Sequence, residues 1–480
     1  MRYTGSSKSI AGQECHGLPA PQERPGRTRA LLRWSVSKNP VGSMRRVGRA
    51  PVQELMFDAA GRLIPIRRSV LLTKHGWYVG IDWGSEKHRA CCLSAAGKLL
   101  EWRWAEHSGE GLAGLVDWLM GMSEHQPTRV AIGIEVPRGA IVETLVERGF
   151  AVFSINPKQL DRFRDRYSPA GAKDDNRDAM VLADALRTDQ HCFRQVRLDD
   201  PEVIRLREIS RLEEDLSQDF YRLANQVREQ LWRYFPQLLQ LAALPEEAWI
   251  WDLFEMAPFP GKAAKLSLPK ITRVLKKHRI RRFDAGQIHD LLAVAPVFVV
   301  PGTAEAASER ILILLPRLRI LQQQLSDVAK RIERILEEMG AAGPDCQPGE
   351  HCDATILLSL PGVGRKVSAT VLSEASQALA DRDYHGLRCL TGAAPITRQS
   401  GKKKQVFMRY ACNQRLRNAL HYWASGSIQF DPRSKQMYQE MRDRGLHHNR
   451  ALRGIADRLL EMMISMLLHR TMYDPQRRVA

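Results

Sequence analysis

Two apolar runs that read as buried strands each contain one acid, and few folds can place a carboxylate there. Trp77–Trp83 (WYVGIDW) holds Asp82, and Val130–Val136 (VAIGIEV) holds Glu135. A buried carboxylate without a partner is costly, so such a position calls for a cation, a hydrogen-bond donor or a shifted pKa. The surrounding pattern gives the acids a frame. Ala90–Ser94 and Leu99–Trp104 read as two strands joined by a turn at Ala95–Lys98, and Leu112–Met122 reads as a helix. Ala140–Arg148 is predicted helical, Ala151–Ile155 (AVFSI) is a fifth strand, and Arg177–Arg187 is a further helix. Three strands followed by helix, strand, helix, strand and helix is the order of an α/β RNase H-like fold.

Two more acids, Asp175 and Asp178, open the last of these helices in Lys173–Ala179 (KDDNRDA). A spacing of three puts both on one helical face. Asp174 is an alternative to Asp175. Four acids from neighbouring elements could hold two Mg²⁺ ions through oxygen ligands, the arrangement that clamps a phosphodiester during in-line displacement. Any one of these acids taken alone reads first as an ion-paired structural residue, with Asp175 or Asp178 as a helix N-cap. In this strand order the four together favour the metal.

Downstream, Val203, Leu206, Ile209, Leu212, Leu216, Phe220, Leu223, Val227 and Leu231 recur at spacings of three or four. Ile311, Leu314, Leu318, Leu321, Leu325, Val328, Ile332, Ile335 and Met339 repeat the theme. Two long helices are expected, pairing as an antiparallel coiled-coil arm over 200–345 with an elaborated tip at 236–302, or exposing a seam for a dimer. Pro316 is expected to kink the second helix or delay its start. Residues 354–480 are expected to be mainly helical, with Ile455–Leu468 as an apolar terminal helix.

Charge is concentrated. The chain carries 72 Lys and Arg against 54 Asp and Glu, or +18, and residues 1–75 alone carry 14 basic and 4 acidic residues. Residues 384–430 carry 8 basic residues and no acid. Two such segments point to a polyanion, most plausibly nucleic acid. Residues 1–70, rich in Arg, Pro, Gly and Ser, read as a disordered basic extension in which Met44 and Met56 are alternative starts. The longest apolar run, Leu291–Val300, is too short for a membrane span, and no secretory signal is expected. The eight cysteines form no CxxC pair, and the Cys346–His351–Cys352 cluster has no second half, so a reducing cytoplasm fits.

Two motifs lie in the C-terminal part. Leu360–Lys366 (LPGVGRK) could bring backbone N–H groups, Arg365 and Lys366 to a phosphate, like the hairpin of helix-hairpin-helix DNA binders, or could be an ordinary helix–helix turn. Ser400, Gly401 and the lysines Lys402, Lys403 and Lys404 offer a hydroxyl in a positive field, with Arg409, Arg415 and Arg417 following. On its own this is a polar loop.

Together these pieces resemble the DEDD transposases of insertion-sequence family one-hundred-ten. The resemblance rests on GIDWGSEKH (Gly80–His88), IGIEVPRG (Ile132–Gly139), INPKQLDRFR (Ile155–Arg164), AKDDNRDA (Ala172–Ala179), LPGVG (Leu360–Gly364) and GAAPITRQSGKKK (Gly392–Lys404). It covers about 76–190 and 354–425. It departs from the pattern in Val136-Pro137-Arg138-Gly139, where many members have a small hydroxyl residue, Thr and Gly. The basic extension and the 236–302 insert also lie outside it.

The resemblance implies a RuvC-like domain over 76–195 whose acids Asp82, Glu135, Asp175 and Asp178 bind Mg²⁺. It further implies a C-terminal transposase domain over 354–480 with Ser400 as nucleophile. The expected reaction cuts and rejoins donor and target DNA through a covalent phosphoserine. A structured bridge RNA guides it, within a homo-oligomer, dimer or tetramer, that joins the acids of one protomer to the serine of another. Arg365, Lys366, Lys402, Lys403, Lys404 and Arg409 are the expected phosphate contacts. The alternatives are a Mg²⁺-dependent junction-type nuclease, in which the acids activate water, and a non-catalytic nucleic-acid-binding scaffold.

Overall fold

The computed structural model describes residues 75–167, 174–242, 246–341, 351–401 and 403–476. The basic extension, Cys346 and Lys402 lie outside the described residues. Six strands form one sheet: β1 (Trp77–Asp82), β2 (Lys87–Ser94), β3 (Leu99–Glu106), β4 (Val130–Ile134), β5 (Ala151–Ser154) and β6 (Arg194–Gln195), in the order β3-β2-β1-β4-β5-β6. The first three strands pair antiparallel, β4 and β5 add on parallel beside β1, and β6 closes the edge antiparallel. This mixed sheet carries the RNase H-like order expected from the sequence.

Period-two alternation divides the sheet's side chains between two faces. Val79, Ile81, Ile132 and Ile134 point to α1 (Gly109–Met122) and α2 (Ala140–Glu147). Tyr78, Ala131 and Phe153 point the other way, to α3 (Pro157–Asp165) and α4 (Asp175–Asp189). Burial on both sides is why β4 reads as an unbroken apolar run. Two elements were not legible in the chain. Helix α3 buries only Leu160, and β6 has two residues, both exposed.

Helix α5 (Pro201–Tyr234) and helix α11 (Thr303–Gly340) lie side by side. They run antiparallel, since Leu206 shares a core with Val328, Ile332 and Ile335, while Phe220–Tyr234 share another with Ala307–Leu318. Five short helices fill the far end: α6 (Gln237–Leu241), α7 (Ala248–Met256), α8 (Pro260–Ala263), α9 (Leu268–Lys277) and α10 (Ala285–Ala293). Their Trp249, Trp251, Phe254 and Ile271 complete the second core. Pro316 does not delay α11, which begins at Thr303 and continues through it. Pro316 and Leu312 are both exposed, so water can satisfy the Leu312 carbonyl that a proline leaves unbonded. Leu212 also turns outward, and its neighbour Glu213 is buried instead.

The C-terminal region is helical as expected, with α12 (Asp353–Ser359), α13 (Arg365–Glu374), α14 (Ser376–Ala380), α15 (Tyr384–Thr391), α16 (Gln414–Phe430), α17 (Pro432–Asp443) and α18 (His448–His469). Leu459, Leu460 and Met463 of α18 pack on Trp423 of α16 and on the base of the arm. One departure interrupts the helices: β7 (Ile396–Ser400) and β8 (Lys403–Phe407) form an antiparallel ribbon where the sequence suggests a polar loop. Among the described residues, no helix is long and apolar enough to cross a membrane.

Candidate active site

Asp82 ends β1, and Glu135 follows directly on the last residue of β4. The two strands are adjacent and parallel with Ile81 opposite Ile134, so the two acids occupy matching positions at the same end of the sheet. Alternation from Tyr78 and Ala131 puts both on the side that faces α4. Both are half-buried.

What brings α4 to them is a pair of glycines. Gly80 and Gly133 are cross-strand partners. A Cβ on Gly80 would lie 1.9 Å from the Ala179 carbonyl oxygen and 2.5 Å from the Ala183 nitrogen. One on Gly133 would lie 3.0 Å from the Leu182 carbonyl oxygen. The helix backbone therefore rests directly on the sheet, an approach only glycine permits. This seat sets the N-terminus of α4 beside the sheet's acidic end. Asp174 is its N-cap, with its side chain accepting from the Arg177 N–H at 2.9 Å. Asp175 and Asp178 then fall in the first turn, where the helix dipole favours negative charge. The cap is thus neither of the two residues proposed for it from sequence, which leaves Asp175 and Asp178 as the pair one turn apart.

Asp178 is fully buried, whereas Asp175 is exposed. Arg164 of α3 grips Asp178 with two hydrogen bonds, Nε to Oδ1 at 2.5 Å and a terminal nitrogen to Oδ2 at 3.1 Å, and also contacts Asp161. Arg89 of β2, directly opposite Asp82, donates to Asn176 at 2.6 Å and stacks on Trp102 and Trp104. Neither arginine stood out in the sequence, because both come from elements whose packing it does not specify. In donor type the four acids suit a hard divalent cation. Among the described residues, no three of them bring ligand oxygens within 4.8 Å of one another; the group that meets this distance is Asp189, His191 and Cys192, at the opposite end of α4.

On the reverse face of the sheet, His88 is fully buried, with its Nε2 3.0 Å from His107 Nδ1. Burial, and then the neighbouring His107, hold its pKa below the ordinary histidine value.

The remaining sites lie in the C-terminal region. Gly362 has φ of 78°, and a Cβ there would meet the Ser427 nitrogen at 2.4 Å. The Pro361 carbonyl accepts from Trp423 Nε1 at 3.1 Å. This glycine packs closely against α16. Arg365, expected as a phosphate contact, pairs with Glu213 and Glu333 of the arm, each at 2.9 Å. Lys366, one residue on, is exposed. Arg409 donates to the Ala394 carbonyl at 3.2 Å and is half-buried at the foot of the ribbon.

Ser400 is the last residue of β7 and lies opposite Lys403 across a two-residue loop. Gly401, with φ of 55°, supplies the left-handed conformation that such a loop needs at its first position. Every described residue from Thr397 to Phe407 is exposed. Ser400, Lys403 and Lys404 thus stand on a ribbon that buries almost nothing, while Lys402 lies outside the described residues.

Comparison with known proteins gives two family matches. Residues 79–236 match the DEDD transposase domain of IS110, and residues 354–439 match the transposase IS116/IS110/IS902 family. The Sinorhizobium fredii protein y4uE, named as a transposase, is 48% identical over 253 residues, covering 52% of this chain and 69% of its own length. The Streptomyces coelicolor protein named as the mini-circle transposase for IS117 is 31% identical over 416 residues, covering 84% of this chain and 96% of its own. A 43.6 kDa protein of the IS110 element of the same organism is 27% identical over 408 residues.

Proposed function

Because this chain belongs to the IS110 family of insertion-sequence DNA transposases, we propose that Ser400 is its nucleophile and that Asp82, Glu135, Asp175 and Asp178 form its metal-binding acidic site. Membership implies DNA substrates and dependence on a divalent metal. The observation that supports the finer reading is a division of chemistry. Acids cluster at one end of the sheet, and an exposed hydroxyl stands in a segment, 384–430, that contains 8 basic residues and no acid.

The ion we propose is Mg²⁺, two per site, which would supply Lewis-acid charge for the scissile phosphate. The chain's own groups do the rest. Ser400 Oγ forms a bond to phosphorus as one phosphorus–deoxyribose oxygen bond breaks. The serine proton passes to the departing oxygen, leaving a free hydroxyl and a phosphoserine link to the other strand segment. Attack by the hydroxyl of a new strand releases the serine. One ester replaces another at each step, so no nucleotide hydrolysis is needed. Lys366, Lys403 and Arg409, with Lys402, contact phosphates in this reading.

We further propose that the α5–α11 arm acts as a coiled-coil spacer. A bridge RNA selects donor and target by base pairing, and Ser400 of one protomer meets the acids of another. The test is to mix protein, element DNA, guide RNA and Mg²⁺, then denature. Wild type yields a covalent protein–DNA adduct and Ser400→Ala yields none; an undiminished adduct in Ser400→Ala removes this serine from the reaction. Normal cleavage without any adduct would assign a junction nuclease instead. Metal-independent binding with no cleavage would assign a scaffold.

A further inference from the structure

The ribbon's register sorts its side chains in a way the run of lysines does not reveal. Ser400 lies opposite Lys403, Arg398 opposite Gln405, and Ile396 opposite Phe407. Residues directly opposite in an antiparallel pair share a face, and neighbours along a strand alternate. One face therefore carries Ile396, Arg398, Ser400, Lys403, Gln405 and Phe407. The other carries Thr397, Gln399, Lys404 and Val406. The Arg398 guanidinium lies 5.3 Å from the Phe407 ring centroid, as this assignment requires.

We infer that the Ser400 face is the phosphate-binding face of the ribbon, and that Arg398 and Lys403, but not Lys404, hold the phosphodiester that the serine attacks. Arg398 precedes Ser400 by two residues and Lys403 faces it across the ribbon, so two cations flank the hydroxyl on its own side. Stacking on Phe407 steadies Arg398, and its planar fork suits two oxygens of one phosphate. No acidic residue between 384 and 430 competes for either cation. A two-stranded ribbon fits the groove of a nucleic-acid duplex, and the one with Ser400 turned to the backbone has Arg398 and Lys403 turned with it.

This inference rests on Ser400 as nucleophile, and the experiment separates the two. All replaced residues are exposed, so folding is not at stake. In the Ser400→Ala chain, binding of a short fluorescein-labelled duplex DNA is titrated against NaCl. Adding Arg398→Gln or Lys403→Gln lowers the slope of log K against log salt by about 0.9 each, while Lys404→Gln leaves it unchanged. With Ser400 present, Arg398→Gln slows adduct formation by roughly 100-fold. Arg398→Lys keeps the salt slope but recovers the adduct rate only in part, and Lys404→Gln leaves the rate within about twofold. Equal effects of Arg398→Gln and Lys404→Gln overturn the inference whatever Ser400→Ala does. An adduct that persists in Ser400→Ala overturns the serine reading, while unequal salt slopes would still assign the phosphate face.

Discussion

The acidic end of the sheet and the serine ribbon are built on opposite terms. Asp82, Glu135 and Asp178 issue from a sheet covered on both faces and from a helix that touches its backbone, so their positions are set by the core. Ser400 sits on two short strands whose described side chains from Thr397 onward are exposed. A two-stranded ribbon alone is at best marginally stable in water. One half of the proposed site is thus fixed before any substrate arrives. The other stands on a ribbon that little packing holds in place.

Three changes would break or sharpen this contrast. The largest effect is expected from Gly80→Val, which drives a side chain into the Ala179 carbonyl and lifts α4 from its seat. Overpacking of this kind costs about 3 kcal/mol or more, read as a lowered denaturant midpoint. An unchanged midpoint would show that the acids are not fixed by the core. Next comes acid. Because the folded pKa of His88 is lowered by burial and by His107, the unfolded chain takes up that proton first. Stability is complete above the unfolded value of roughly 6.5 and declines as pH falls below it toward the folded value. Thermal melts from pH 7.5 to 5.5 should show a decline that His88→Gln flattens. The smallest effect belongs to the ribbon: Val406→Thr, at a position 61% exposed, should move stability by less than about 0.5 kcal/mol. A larger loss would mean that the ribbon packs on something after all.

The same contrast explains what could be read from the chain. Apolar alternation with embedded acids disclosed β1, β4 and the order of the sheet, because burial on two faces leaves a strong imprint on sequence. The antiparallel arm was legible from its three- and four-residue spacings, but Leu212 and Glu213 exchange roles there because Arg365 needs a carboxylate at the base of the arm. The ribbon has no buried face and so left no pattern. Gly80 and Gly133 gave only the residue type; the close approach that requires them belongs to the packing of α4. Arg164 looked like any surface arginine because its partner lies in a different helix, 14 residues away.

That last contact changes how the acidic end comes into being. With its charge already balanced by a guanidinium from the same chain, Asp178 can be enclosed as the newly made polypeptide folds, before any ion is at hand. If Asp178 serves the proposed metal site, binding an ion there would exchange one positive partner for another, and chelators should silence the enzyme without unravelling it.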